Sequence, residues 1–253
     1  MSVTIKSPRE IDLMRESCKI LSEVHDALAE IVKPGITTKE IDIEGERLIR
    51  SYGCIPNFLN YNGYPASICV SVNDEVVHGI PSKKRVLKEG DIVSLDCGLI
   101  YKGYHSDAAR TYAVGKIAPE VLQLIDVTRQ SFYEGIKYAK AGNHLYDISN
   151  AIDDYVSGFG YGIVKDLVGH GIGTHLHEDP QIPNFRQKRH GVLLQPGMTL
   201  AIEPMINMGT WEVYFLDDDW TVVTADGKPS AHYENTILIT EGEPEILTRS
   251  KYN

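Results

Sequence analysis

His170 lies among glycines, in Gly169-His170-Gly171-Ile172-Gly173, and His177 follows it seven residues on (177 − 170). Glycine serves where a backbone takes unusual angles or lets something approach closely, so this stretch reads as a loop built around an imidazole. Asp96, Asp107, Glu203 and Glu234 stand in strand-like contexts. Asp96 follows Ile92-Val93-Ser94-Leu95, Glu203 follows Leu200-Ala201-Ile202, and Glu234 precedes Asn235-Thr236-Ile237-Leu238-Ile239. A buried carboxylate is costly unless it is paired or bound to a cation. Any one of these acids reads equally as a cap or a salt-bridge partner. Four of them together with an imidazole read as a metal site. Their charge would be balanced by two divalent cations, and oxygen-rich ligation with one imidazole suits Mn, Fe, Co or Zn without choosing among them. Two ions about 3.5–4 Å apart can activate water and clamp a substrate oxygen, which is hydrolytic chemistry. His78, in Val77-His78-Gly79-Ile80-Pro81, and His177, before Glu178-Asp179, read either as turn and surface residues or as substrate contacts beside that centre.

The elements that must carry these residues are legible in part. Ser7-Pro8-Arg9-Glu10 is a capping box with proline at the first helical position. Ile11, Met14, Cys18, Leu21, Val24, Leu28 and Ile31 then mark one helical face, which stops at Lys33-Pro34-Gly35. Thr37, Thr38 and Glu40 start a second helix running to Tyr52-Gly53. Ile68 to Val72 predicts a strand, turned by Asn73-Asp74. Asp91 to Tyr101, a turn at Lys102-Gly103 and Ser106 to Val114 predict an antiparallel hairpin that sets Asp96 and Asp107 on adjacent strands. A third helix is expected from about Pro119 to Lys140, and a fourth along Leu145, Ile148, Ile152 and Val156, ended by Gly158-Phe159-Gly160. Ile163 to Val168 predicts a short strand leading into the glycine loop, with further strands near Gly197 to Ala201, Trp220 to Thr224 and Asn235 to Ile239.

The order of two helices then strands occurs twice. Lys33 and Lys140, and Gly90 and Gly197, are each 107 residues apart (140 − 33, 197 − 90). Gly90 precedes Asp96 by six residues, as Gly197 precedes Glu203 (96 − 90, 203 − 197). These offsets favour two related halves, about 1–116 and 117–253, each placing an acid at the same strand position. Chance likeness of amphipathic segments is the other reading.

With 253 residues, 42% hydrophobic and 24% charged, the chain has the material for a sizeable core and is not disordered in composition. A formal charge of −10 argues against a general grip on nucleic acid. No apolar run reaches the length of a membrane span and the first residues lack a signal-peptide pattern, so a cytoplasmic location is expected. Cys18, Cys54, Cys69 and Cys97 fit no zinc-knuckle spacing and are expected as reduced thiols.

Taken in chain order, Asn73 to Pro81, Leu95-Asp96 with Ser106-Asp107, Gly169 to Gly173, Ala201-Ile202-Glu203-Pro204-Met205 and Tyr233-Glu234 resemble the type I methionine aminopeptidases, over essentially the whole chain and without an N-terminal extension. The resemblance implies an α+β pita-bread fold: a single catalytic domain, 1–253, with two pseudo-symmetric halves around an antiparallel sheet and flanking helices. It implies a dinuclear metallo-aminopeptidase that removes the initiator methionine from nascent proteins and favours a small second residue. The ligands it implies are Asp96, Asp107, His170, Glu203 and Glu234, with Asp107 and Glu234 shared between two divalent ions of Co, Mn, Fe, Zn or Ni. Glu203 would shuttle the proton, His78 and His177 would contact substrate, and His177 would also stabilise the developing oxyanion. Phe58, Tyr61, Tyr64, Cys69, Leu176 and Trp220 fall where such enzymes build a methionine pocket. Four positions depart from that pattern: relatives commonly have Cys at Phe58, Phe at Leu176, Gln at His232 and His at Asn235. The expected partners are peptides and nascent chains with N-terminal Met, with ribosome contact left open, no DNA, no membrane, and a monomeric state. A proline-directed peptidase of the same fold, which usually carries a large extra N-terminal domain, and a non-catalytic peptide or ribosome binder are the alternatives.

Overall fold

A computed structural model gives the fold, and residues 3–251 are described. Helix α1 (Pro8–Ile31) opens as the capping box requires: Glu10 Oε2 accepts from the Ser7 backbone N–H at 2.8 Å and from Ser7 Oγ at 2.7 Å. Its inward stripe buries Met14, Cys18, Leu21, Val24 and Leu28. Helix α2 (Thr38–Ser51) repeats the device with Thr37 and Glu40. The strands β1 (Ile55–Pro56), β2 (Ile68–Val72), β3 (Glu75–Val77), β4 (Ile92–Tyr101) and β5 (Tyr104–Ala113) follow, and β4 and β5 form the expected hairpin over its left-handed turn at Lys102 and Gly103.

The second half runs α3 (Pro119–Ile136), α4 (Leu145–Ser157), β6 (Gly162–Ile163), β7 (Gly169–Gly171), β8 (Glu178–Ile182), β9 (Thr199–Ile202), β10 (Met205–Asn207), β11 (Val213–Phe215), β12 (Val222–Thr224), β13 (Ser230–His232), β14 (Glu234–Leu238) and β15 (Glu245–Ile246). Two expectations need correction here. Helix α3 ends at Ile136 instead of Lys140, because the N–H groups of Tyr138 and Ala139 turn back three residues to the carbonyls of Gly135 and Ile136. The strand expected over Ile163 to Val168 is only β6, which pairs with β10 in a separate sheet. The chain then bends at Lys165-Asp166, and Leu167 and Val168 turn into a cavity.

The main sheet has nine antiparallel strands along β1-β4-β5-β14-β9-β7-β8, with β2 also on β4 and β15 also on β14. Helix α1 packs across β4 and β5, α2 on β2, and α3 on α4 and β13. Fully buried Leu21, Val24, Ile41, Ile68, Val93 and Leu95 fill the core of the first half, and Phe132, Ile148, Ile152, Leu200 and Ile202 that of the second. Each such side chain contributes about 1.5–3 kcal/mol by leaving water. The same backbone contact recurs 107 residues later: Thr37 bridges Val86 as His144 bridges Leu193 (144 − 37, 193 − 86), and Gly35 N–H donates to Leu87 O as Gly142 N–H donates to Leu194 O. The four cysteines are free and buried. No helix among the described residues is long and apolar enough to cross a membrane.

Candidate active site

Five adjacent strands of the main sheet each deliver one of the expected ligands. They are Asp96 on β4, Asp107 on β5, Glu234 on β14, Glu203 directly after β9, and His170 on β7. The pairing register explains why they share one face. Ala109 stands opposite both Asp96 and Glu234, which makes one row across β4, β5 and β14. Ala201 stands opposite both Thr236 and His170, and Gly98 opposite Asp107, in the row next to it. Rows two residues apart point the same way. The acids and the imidazole thus alternate with Ala109, Ala201 and Gly98, small residues that leave room between them. A Cβ on Gly98 would lie 2.5 Å from Asn57 Nδ2 and 3.1 Å from Asp107 Oδ1.

The first part of the glycine segment is a correction: Gly169-His170-Gly171 is strand β7, and only Ile172 and Gly173 lie in the loop beyond it. Its glycines permit close approach of backbone, as a Cβ on Gly169 would meet Ala201 O at 2.4 Å and one on Gly171 would meet Asp179 O at 2.2 Å. His170 Nδ1 lies 2.9 Å from Gly171 O. A carbonyl only accepts, so Nδ1 carries the proton and Nε2 is left bare for a ligand role. Nε2 faces Glu203 Oε1 at 3.6 Å and Asp107 Oδ2 at 4.0 Å. One ligand atom each from Asp107, His170 and Glu234 lie within 4.8 Å of one another, while Asp96 and Glu203 line the same cavity outside that tight set.

The electrostatics call for a cation. Burial lifts Asp107, Glu203 and Glu234 well above the usual carboxylate range, and the charges of the neighbouring acids add to it. Burial lifts Asp96 to about 7. Asp96 Oδ1 and Glu234 Oε1 are buried without a hydrogen-bond partner, and among the described residues no lysine or arginine lines the cavity. Burial instead lowers His170 to about 3, which keeps it neutral as a ligand must be. Four carboxyl groups with no cationic side chain among them, two orphaned oxygens and a bare imidazole nitrogen fit divalent cations.

The cavity, about 250 Å³, also collects every other expected site residue: Phe58, Tyr61, Tyr64, Cys69, His78, Leu176, His177 and Trp220. The first residues of β8 bring His177 back over His170, their rings edge to face at 4.4 Å, and Tyr61 Oη lies 2.7 Å from His177 Nδ1. His78 follows β3 at φ +60°, a strained position for a residue with a Cβ, and burial lowers it to about 4. Trp220 precedes β12 and meets Tyr64 edge-on at 5.1 Å. Phe58, Tyr61, Tyr64, Cys69, Leu176 and Trp220 form one apolar cluster.

Sequence reasoning missed Asn62, Val77, Leu167, Val168 and Met205 in the wall, and gave His232 no role there. Val77 and Met205 adjoin His78 and Glu203-Pro204, which was the available signal. It also missed Arg110, buried behind the acids. Arg110 donates to the carbonyls of Ala109, Glu234 and Thr248 and to Asn235 Oδ1, and its guanidinium lies 4.5 Å over the Tyr233 ring. Asn235, one of the departures, thereby ties β14 to Arg110.

Residues 12–241 match the model of metallopeptidase family M24. A methionine aminopeptidase of Clostridium acetobutylicum is 53% identical over 97% of this chain and 98% of its own. The crystal structure of a methionine aminopeptidase from Thermotoga maritima superposes with a TM-score of 0.96 at 44% identity, covering 98% of this chain and all of the other. An Xaa-Pro dipeptidase of Bacillus anthracis is more distant, with a TM-score of 0.79 at 27% identity, and this chain covers 62% of it. The chain belongs to metallopeptidase family M24, and within that family to the methionine aminopeptidases.

Proposed function

We propose that two divalent ions held by Asp96, Asp107, His170, Glu203 and Glu234 serve removal of the N-terminal methionine, with preference for a small second residue. The chain is a metal-dependent aminopeptidase, a hydrolase acting on N-terminal methionine. The register of the sheet carries the reading. Cys69, Asp96, Ala109 and Glu234 stand in one row across β2, β4, β5 and β14, so the apolar pocket opens directly onto the carboxylates. A side chain seated among Phe58, Tyr64, Cys69, Leu176 and Trp220 leaves its own α-amine and carbonyl at the acids. Divalent ions there supply polarisation of the carbonyl and a lowered pKa for water.

The rest falls to the chain's own residues. Asp107 and Glu234 would be the acids common to both ions, with Asp96 holding one and His170 and Glu203 the other. Glu203 takes the proton of the attacking water and hands it to the leaving amine. His177, held by Tyr61, donates to the oxygen that gains charge, and His78 contacts the peptide from the other wall. A free α-amine at the acids explains cutting from the N-terminus only. The preference for a small second residue rests on the family likeness. Nascent chains are the proposed substrates and a cytoplasmic monomer the proposed state.

Chelated protein reloaded with single metals, assayed on Met-Ala-Ser and on an Xaa-Pro peptide, tests this. Mn, Co or Fe should restore hydrolysis of Met-Ala-Ser and leave the Xaa-Pro peptide uncut. Full activity in a sample shown to be metal-free would end the reading, and preferential cleavage of the Xaa-Pro peptide would move it to the proline-directed branch.

A further inference from the structure

His232 has no part in the reaction above, yet its side chain lines the same cavity. Its backbone is fully engaged on β13: the N–H donates to Thr111 Oγ1 and the carbonyl accepts from it, both at 2.9 Å. The residue is 2% exposed and neither ring nitrogen has a hydrogen-bond partner. A polar group so buried is expected to be satisfied, and one that is not calls for an explanation.

The explanation lies at Glu203. His232 Nε2 is 3.9 Å from Glu203 Oε2, while Glu203 Oε1 is 3.6 Å from His170 Nε2. The carboxylate therefore stands between two imidazoles, one to each oxygen. Neutral His170 cannot donate to it, since its N–H is used on Gly171 O. His232 can, because an imidazole carries at least one N–H. The gap exceeds a hydrogen bond by about 1 Å, which a change in one side-chain torsion is enough to close. A ligand role for His232 would instead predict loss of an ion from its variants, which metal content reads.

We propose that His232 is a positioning residue for Glu203: its ring N–H holds Oε2, so that Oε1 is presented on the His170 side and the carboxylate stays aligned for proton transfer. This rests on the role given to Glu203 above. Neighbours that orient a metal-binding carboxylate by hydrogen bonding typically matter by about 10–100-fold.

The test uses metal-loaded protein carrying His232→Leu, His232→Gln, Glu203→Gln or the double change H232L/E203Q. Leucine removes both nitrogens, whereas glutamine keeps a neutral N–H donor. His232→Asn, whose amide is too short to reach Oε2, replaces H232L if thermal unfolding shows the leucine variant does not fold. Readouts are kcat and KM on Met-Ala-Ser, metal content per chain, and the visible spectrum of the cobalt-loaded protein. H232L should lower kcat about 10–100-fold, with KM and metal content unchanged and the cobalt bands shifted. H232Q should recover most of the rate and the native spectrum. In the E203Q background H232L should add no further loss, because the two residues act as a unit. Native kcat in folded H232L, equal losses in H232L and H232Q, or additive losses in the double variant would each overturn the proposal. Loss of an ion from H232L would overturn it in favour of a ligand. An unchanged kcat in E203Q would remove the role of Glu203 and this proposal together, whereas a crippled E203Q beside a fully active H232L removes this proposal alone.

Discussion

Glu203 carries two duties, holding a cation and moving a proton, and they can be separated. Glu203→Gln keeps the shape and removes basicity, so kcat should fall by at least about 10², as steady-state kinetics alongside metal analysis will show. A native rate at full occupancy contradicts the proton role. His177 touches His170 edge to face, and its Nδ1 is engaged by Tyr61 Oη at 2.7 Å. His177→Ala should therefore lower kcat and leave metal content unchanged. Metal loss from a folded variant would make it a ligand. Asn235 stands where relatives commonly have His, and here it is buried and accepts from Arg110 at 2.6 Å, which gives that departure a structural role behind the site and not in it.

At the scale of the element, the site is a property of strand register. A slip of one residue in β14 against β5 would turn Glu234 to the other face, so whatever fixes the register also fixes the chemistry. Close backbone approach at β7 is one such device. Gly171→Ala places a methyl against the Asp179 carbonyl, backbone that cannot swing aside. Overpacking of this kind destabilises by about 1–3 kcal/mol and should displace the neighbouring His170. A lower melting temperature together with weaker metal binding is the expected result. Native values for both would show that β8 yields without disturbing the ligand.

Across the whole molecule, two cores meet at one sheet, and the acids lie along that junction. We propose that the halves arose by duplication, supported by the paired bridges at Thr37–Val86 and His144–Leu193. Divalent cations bound across the junction should stabilise the fold, by about 2.7 kcal/mol when free ion is at a hundred times its Kd. The sign of the pH dependence follows from the acids. Burial raises Asp96 to about 7 and the other three well above their ordinary range, so below that pH protons occupy the oxygens that a cation needs. His170, lowered to about 3, does not compete over this range. Apparent metal affinity should rise as pH increases through about 7, with protons released on binding, and calorimetry in buffers of different ionisation enthalpy will count them. Affinity that is flat between pH 5 and 8 would contradict this. The uncharged lining of the pocket makes a further prediction: kcat/KM for Met-Ala-Ser should exceed that for Leu-Ala-Ser by about 10–200-fold, and Lys-Ala-Ser should be refused. Equal values for the three peptides would show that these side chains only fill a core.

Much of this was written in the sequence. The capping boxes at Ser7 and Thr37, the β4–β5 hairpin and the period of α1 are local patterns, fixed by hydrogen bonds and side-chain spacing within a few residues. The candidate ligands were legible because an acid inside an apolar run is anomalous wherever the chain folds, and His78 and His177 followed from their likeness to a family. Only tertiary structure decided the rest. The stretch Ile163 to Val168 reads as a strand, but only its start finds a partner strand in β10; the chain bends at the charged pair Lys165-Asp166, and Leu167 and Val168 line the cavity. The glycines around His170 became a strand because two neighbouring backbones press against it. Arg110 and His232 carry no local signal of these roles: an arginine between an alanine and a threonine and a histidine beside a tyrosine are ordinary until β14 is laid between β5 and β9. Residues more than a hundred positions apart then become neighbours, and which polar atoms are left without partners is settled by that packing.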